Sequence, residues 1–407
     1  MNVLYISYDG MTDPLGQSQV LPYLIGLSKQ GYRFTLISCE KPERYQSGRA
    51  VIEAICQLHQ IYWQPLPYTK SPPIFSTIKD VRSIQKLAFK LNKVKSFKLI
   101  HCRGYISALV GKKLKAELGV KFLFDMRGLW ANEKVDAGAW NLNNPIFKMV
   151  YNYFKKQEKL FFEQADYSIC LTEAGKKEIH SWSHIQNNPV PIQVIPCCAD
   201  LDHFDRAKVS EDDLNQLRDQ LKIKPGEVVI SYLGGIGTWY MLDEMLDFFL
   251  VFKEAVPRAK FLFITGDEHD SIVNKALQKG IAREELVLKK ASRQEVPLCL
   301  ALSNYALFFI RPTYSKLASS PTKQGEIMAM GIPLVCNSGV GDTDGIVTNY
   351  QSGIVNQVFA LEGYQESIKK LLSTPFSPAH LRAGALNYFN LAEGVARYAW
   401  VYNQIMG

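Results

Sequence analysis

Lys323 and Glu326 stand three residues apart, behind Ser319-Ser320-Pro321-Thr322, in a short helical pattern that Gly331 closes. That spacing puts an ammonium and a carboxylate on one helix face. The serines, the proline and Thr322 mark a helix start, which offers unpaired N–H groups and a partial positive charge. Such an end, with Lys323 one turn in, suits a phosphate. Glu326 can accept hydrogen bonds from a pair of hydroxyls. A phosphate seat beside a diol acceptor fits a nucleotide. The same residues would also make an ordinary capped helix with a solvated Lys and Glu, so the rest of the chain must decide between the two.

Other loops carry comparable chemistry. Asp125-Met126-Arg127-Gly128 follows an apolar strand at once, and Glu133 lies just beyond. These charges could orient sugar hydroxyls or phosphate, or form an internal ion pair that braces the loop. His101 ends another strand and suits acid–base work or plain packing. Gly234-Gly235-Ile236-Gly237-Thr238 is a glycine loop before a helix, able to receive a phosphate, but it lacks the dinucleotide spacing. Asp342-Thr343-Asp344 has the look of a metal-binding acidic pair, yet a turn or helix cap explains it as well. Between Lys79 and Lys98 seven cations face only Asp80, which reads as a solvated face or as a contact for anionic lipid.

The elements that position these residues alternate. Apolar runs at Asn2–Ser7, 34–38, 61–64, Leu99–Cys102, Lys121–Asp125, 167–171 and 194–196 are strands buried on both faces. Helical patterns fill 19–30, 44–58, 73–94, 106–118, Pro145–Gln164 and 172–181. After a polar stretch over 208–224 the alternation restarts, with strands at Val228–Leu233, 261–265, 286–288, 306–310, 334–336 and 353–355. Regular βα alternation gives parallel sheets covered by helices. A last helical stretch over 380–406 has an aromatic face to bury, expected on the first domain.

The totals agree. The 407 residues are too many for one core, and 47% hydrophobic with 21% charged is globular composition. Eight scattered cysteines without a CxxC pair argue against zinc and disulfides. A formal charge of +8 favours an anionic ligand or membrane surface, while no nucleic-acid motif is present. No basic leader or apolar run of membrane-spanning length is visible, so a cytoplasmic chain, in peripheral contact with the inner membrane face if at all, is expected.

Together these residues resemble retaining glycosyltransferases of the GT-B fold, in the large family (family four) that includes mannosyltransferases and relatives of glycogen and sucrose synthases. The likeness rests on the opening strand with its Gly16 loop, on Val194 to Phe204 at the domain junction, on Tyr232-Leu233-Gly234, and above all on Pro321 to Val335. It implies two Rossmann-like domains facing across a cleft. The first, 1–205 with the C-terminal helix 385–407, would bind the acceptor; the second, 206–384, would bind a nucleotide-diphosphate sugar. Glu326 would hold the ribose hydroxyls. Ser320, Thr322 and Lys323 would lie near the diphosphate, with Gly16, Gly234, Gly235, Gly237 and Thr238 allowing close backbone approach. The resemblance implies retention and neither metal nor cofactor beyond the nucleotide-sugar co-substrate. Two positions depart from the family pattern. Ala318 stands where a first glutamate is usual, and the Gly234 loop lacks its cations, leaving Arg311, Lys316 and Lys323 to take the charge. Asp125, Arg127, Glu133 and His101 are the candidates for chemistry on the acceptor side. The expected activity is transfer to a glycan or lipid-linked acceptor in surface polysaccharide or glycoconjugate synthesis. The alternatives are a nucleotide-sugar 2-epimerase of the same fold and a non-catalytic nucleotide-sugar binder.

Overall fold

The computed structural model describes residues 1–407, which divide into two compact units. The first comprises Met1–Cys198, Leu317–Ser319 and Leu391–Gly407, and the second Ala199–Lys316 and Ser320–Asn390.

In the first unit seven strands form one parallel sheet: β1 (Asn2–Ser7), β2 (Arg33–Glu40), β3 (Tyr62–Pro67), β4 (Leu99–Arg103), β5 (Lys121–Asp125), β6 (Tyr167–Cys170) and β7 (Ile192–Val194). Their order is β3-β2-β1-β4-β5-β6-β7. The chain runs outward from β1 to β3 and then restarts at β4. The crevice where α/β sheets bind ligands therefore lies beyond the carboxyl ends of β1 and β4. Apolar side chains fill both faces, one cluster around Phe122, Phe124 and Phe161 and the other around Tyr23, Leu36 and Tyr402.

The second unit repeats the plan with six parallel strands: β8 (Val228–Leu233), β9 (Ala259–Ile264), β10 (Leu286–Lys289), β11 (Tyr305–Leu307), β12 (Leu334–Asn337) and β13 (Gly353–Asn356). Their order, β10-β9-β8-β11-β12-β13, places the corresponding crevice between β8 and β11. Phe248, Phe249, Phe261 and Phe309 lie in its core.

Several boundaries differ from the sequence reading. The expected helix over 19–30 is two helices, Pro14–Gln19 and Leu21–Lys29, because Pro22 has no N–H to continue the ladder. Ser18, the residue before that expected helix, lies inside the first of them and donates to the Pro14 carbonyl at 2.8 Å. The strand placed at 194–196 is Ile192–Val194, although Ile195 still donates to the Cys170 carbonyl. β11 stops at Leu307 rather than at 310. The C-terminal stretch breaks into Pro378–Tyr388 and Leu391–Met406. At the break, the Phe389 carbonyl accepts from Ala199 N at 2.8 Å and the Phe389 side chain is buried in the second unit. Leu391–Met406 instead packs on Leu21–Lys29 of the first unit, burying Tyr398 and Tyr402. No helix is long and apolar enough to cross a membrane.

Candidate functional site

The second unit holds its candidate residues at the carboxyl ends of β8 and β11. The helix Thr322–Ala329 starts after Pro321 with no side-chain cap and no acidic residue in its first turn. Its first N–H groups therefore keep their positive end. Lys323 is only 7% exposed. Its Nζ donates to Tyr232 Oη at 3.1 Å and lies 4.3 Å and 3.7 Å from the ring centroids of Tyr232 and Tyr240. The backbone of Gly234 must pass beside it. A Cβ at Gly234 would sit 3.0 Å from Nζ, and its φ of +116° is one that favours glycine. The Tyr232 hydroxyl in turn donates to the Gly235 carbonyl.

Burial pushes the Lys323 ammonium down to about 7, and Glu326 opposes that shift. The faces of the two tyrosine rings also favour the cation. Glu326, 8% exposed, is pushed above the usual carboxylate range by burial, against the pull of Arg293 and Lys323. Arg293 Nη1 stands 3.6 Å from Glu326 Oε1. A desolvated ammonium beside a glycine turn, with a desolvated carboxylate one turn on, can bind an oxyanion and a diol together.

Around this pair the loops are stitched by backbone bonds. Arg311 N donates to the Trp239 carbonyl, Met241 N to Phe309 and Gly341 N to Lys316. Lys316 Nζ lies 3.6 Å from the Trp239 ring centroid. Gly235, Gly237, Thr238 and Arg311 are exposed in these loops, and Ser320 and Thr322 are half-buried at the helix start. The acidic pair is not free-standing: Asp342 Oδ2 accepts from Tyr388 Oη at 3.0 Å, and Asp344 Oδ1 from Gly345 N.

The first unit gathers the other candidates differently. Asp125 Oδ2 accepts from Tyr398 Oη at 2.9 Å and stands 3.3 Å from His101 Nε2. His101 Nδ1 meets Tyr402 Oη at 2.7 Å. Both His101 nitrogens are thus engaged, and burial lowers its proton affinity despite Asp125. Arg127 adopts a φ of +59°, which turns its guanidinium back to within 3.6 Å of Asp125 Oδ1 and 3.3 Å of Cys197 Sγ. Burial opposes the Asp125 charge, but Arg127, the His101 hydrogen bond and Arg103 outweigh it and hold the carboxyl at about 2. Glu133 lies in the first turn of the next helix, Trp130–Asp136.

Gly16, expected to admit a ligand's backbone approach, has an internal reason to be glycine. A Cβ there would come 2.2 Å from the Gly10 carbonyl oxygen and 2.6 Å from Met11 Cα. Ala318 is fully buried, and a Cβ on Gly175 would come 2.9 Å from the Ala318 Cβ. The neighbouring Leu317 carbonyl accepts from Thr172 Oγ1 at 2.6 Å. A glutamate at 318 would have to bury its charge in this packed spot. Sequence reasoning missed Arg293, which lies in a loop without a motif, and gave no role to Tyr232, Tyr240 or Arg103. Tyr232 carries part of the resemblance but reads as strand core, Tyr240 ends the glycine loop, and Arg103 stands two residues after a histidine that drew attention first.

Residues 20–203 match the model Glycosyltransferase Family 4, and residues 213–387 match Glycosyl transferases group 1. Sucrose-phosphate synthase of Thermosynechococcus elongatus superposes with a TM-score of 0.69 at 15% identity, covering 100% of this chain and 99% of its own. Anabaena HepE, solved in complex with UDP-glucose, gives a TM-score of 0.69 at 13% identity over 99% of both chains. A putative UDP-N-acetylglucosamine 2-epimerase of Listeria monocytogenes gives 0.60 at 12%, covering 98% of this chain and 94% of its own. These likenesses establish the GT-B fold. No curated protein matches the sequence.

Proposed function

The chain belongs to the glycosyltransferases, matching Family 4 in its first half and group 1 in its second, and we propose that it moves a sugar from a nucleotide-diphosphate sugar to a glycan or lipid-linked acceptor. The second unit binds the donor and the first the acceptor. One observation carries this reading: Lys323 is buried against the Gly234 turn at the β8–β11 crevice, with Glu326 one turn further along the helix. Lys323 and the helix start hold the diphosphate, and Glu326 holds the ribose hydroxyls. As the glycosidic bond breaks, positive charge grows on the sugar and negative charge on the departing phosphate. Cations aimed at that phosphate then stabilise the transition state more than the ground state. The reaction retains configuration and needs no metal, and its products enter surface polysaccharide or glycoconjugate.

A thermal-shift screen across UDP-, GDP-, ADP-, dTDP- and CMP-sugars tests the donor half, because a ligand that binds only the folded state raises the melting temperature. Incubation with UDP-N-acetylglucosamine and no acceptor tests transfer against epimerisation. Accumulation of the 2-epimer would overturn the transferase reading.

Lys323 makes the donor site sensitive to pH. Its folded value of about 7 lies below that of an ordinary lysine, so above neutrality Lys323 is uncharged in the empty site and the diphosphate must recruit a proton to it. Affinity for UDP, measured by calorimetry, should fall as pH rises through this range, approaching about tenfold per pH unit. The unfolded chain binds more protons than the empty native state between about 7 and the ordinary lysine value, so ligand-free stability should rise with pH across that window. Lys323→Met should remove both slopes.

The helix Phe75–Lys95 carries the proposed membrane contact. Lys79, Arg82, Lys86, Lys90 and Lys93 recur at helical spacing and are all exposed, and Phe75 and Ile78 are exposed at the same end of the helix. Asp80 does not offset them, because it is buried and accepts from Tyr8 Oη at 2.9 Å and Thr69 N at 3.0 Å. Each cation near an anionic surface contributes about 1 kcal/mol. The triple change of Lys86, Lys90 and Lys93 to Glu should therefore weaken binding to anionic liposomes by on the order of 100-fold. Unchanged co-sedimentation would reject this face.

A further inference from the structure

Arg103 ends β4 beside Ser7 of β1, at the crevice of the first sheet. It is 5% exposed, and its Nε and Nη1 are buried without a hydrogen-bond partner. The half-exposed Asp9 brings Oδ2 only to 3.6 Å from Nε, too far for a hydrogen bond. A guanidinium taken out of water and left unbonded is costly unless a ligand supplies the missing acceptors.

Inside the crevice two guanidiniums, Arg103 and Arg127, share one buried carboxylate, and the other carboxylate, Asp9, is half-exposed at the rim. Arg127 Nε is also buried without a partner, and Asp125 is the carboxylate that answers both guanidiniums. Burial keeps Tyr5, Tyr398 and Tyr402 protonated and His101 neutral. The helix Gly104–Leu118 begins at Arg103 with no side-chain cap and no acidic residue in its first turn, so its positive end adds to the field. One turn in, the Ser107 hydroxyl is likewise buried without a partner.

We propose that Arg103 and the start of the helix Gly104–Leu118 form a binding site for a phosphoryl group carried by the acceptor. The planar fork of Arg103 suits two oxygens of one phosphate, and the helix start adds N–H donors. Asp9, at the rim, turns toward solvent when the phosphate enters. This assignment rests on the first unit being the acceptor domain.

Inorganic phosphate is the probe, titrated into the full chain carrying Lys323→Ala so that the second unit's phosphate site is silent. Phosphate should raise the melting temperature of this protein. Adding Arg103→Met should abolish the rise and weaken phosphate binding, read by calorimetry, by about tenfold or more. Without phosphate, Arg103→Met should melt close to its parent, because the attraction to Asp125 that is lost is offset by removing N–H groups buried without partners. If that variant does not fold, Arg103→Lys, which keeps the charge but loses the fork, should still weaken phosphate binding. Undiminished binding in the folded variant, or an equal response to acetate, would overturn the proposal. Co-sedimentation with phosphatidic acid vesicles that depends on Arg103 would place the phosphate on a lipid. A response to glycerol phosphate without that dependence would place it on a soluble acceptor. None of these readouts uses a nucleotide sugar, so failure of the donor reading and failure of this site are separately visible.

Discussion

Glu326→Ala should lower the efficiency of sugar transfer by about 100-fold or more, on the basis that a carboxylate accepting from two hydroxyls loses two charge-assisted hydrogen bonds at once. The fold should tolerate the change. Burial already pushes the Glu326 carboxyl above its usual range, so its charge is a burden on the native state. Its partner Arg293 is 38% exposed and can return to water. The melting temperature of the free protein should therefore stay close to that of the parent while donor affinity and turnover fall together. Glu326→Gln, which keeps the size but accepts more weakly, should fall between the two. Kinetics with a donor from the thermal-shift screen, paired with a melt of each variant, separate the outcomes. Unchanged turnover in a folded Glu326→Ala protein would remove this residue from the site and, with it, the main support for donor binding in the second unit.

The second large effect is on stability. Asp125→Leu should destabilise the first unit by about 3–5 kcal/mol, the range for breaking a buried ion pair from one side. Asp125 is fully buried and serves Tyr398 Oη, His101 Nε2 and the Arg127 guanidinium at once. Without it, two guanidiniums remain in the interior with no carboxylate between them. Asp125→Asn retains an acceptor for Tyr398 and should lose less. The urea midpoint, with the slope checked for constancy, measures both. The same network predicts a response to acid. Asp125 is held at about 2, below an unfolded aspartate, so its contribution is fully present above the unfolded value and is lost as pH falls toward 2. His101 is held below an ordinary histidine, so the unfolded chain takes up a proton first and stability also falls as pH drops below the ordinary histidine range. Parent protein should lose stability in two stages on acidification, and Asp125→Asn should lack the second.

Much of the fold was legible because parallel strands buried on both faces leave continuous apolar runs. Val228–Leu233 and Pro145–Gln164 appear in the structure with the bounds read from sequence. Breaks inside helical patterns were not legible, since Pro22 and Phe389 interrupt periodicities that continue on either side. Of the candidate residues, Lys323 and Glu326 could be paired from their spacing alone. His101 and Asp125 could each be named, but not their junction through Tyr398 and Tyr402, which lie more than 270 positions further along the chain.

Sequence alone determined two βα alternations, a helix start at Thr322 of the kind that suits an anion, and the resemblance at Pro321 to Val335, because these are local properties of a few consecutive residues. Tertiary structure decided the rest. Lys323 is desolvated because Tyr232 and Tyr240, from a strand and a loop nearly a hundred residues earlier, close over it. Ala318 is small because Gly175 packs against it. Arg103 lacks hydrogen-bond partners because two strands, distant in sequence, end side by side at one crevice. Spacing along the chain reports which groups share an element; burial, and the charge balance it imposes, exists only once elements from distant parts of the chain have packed together.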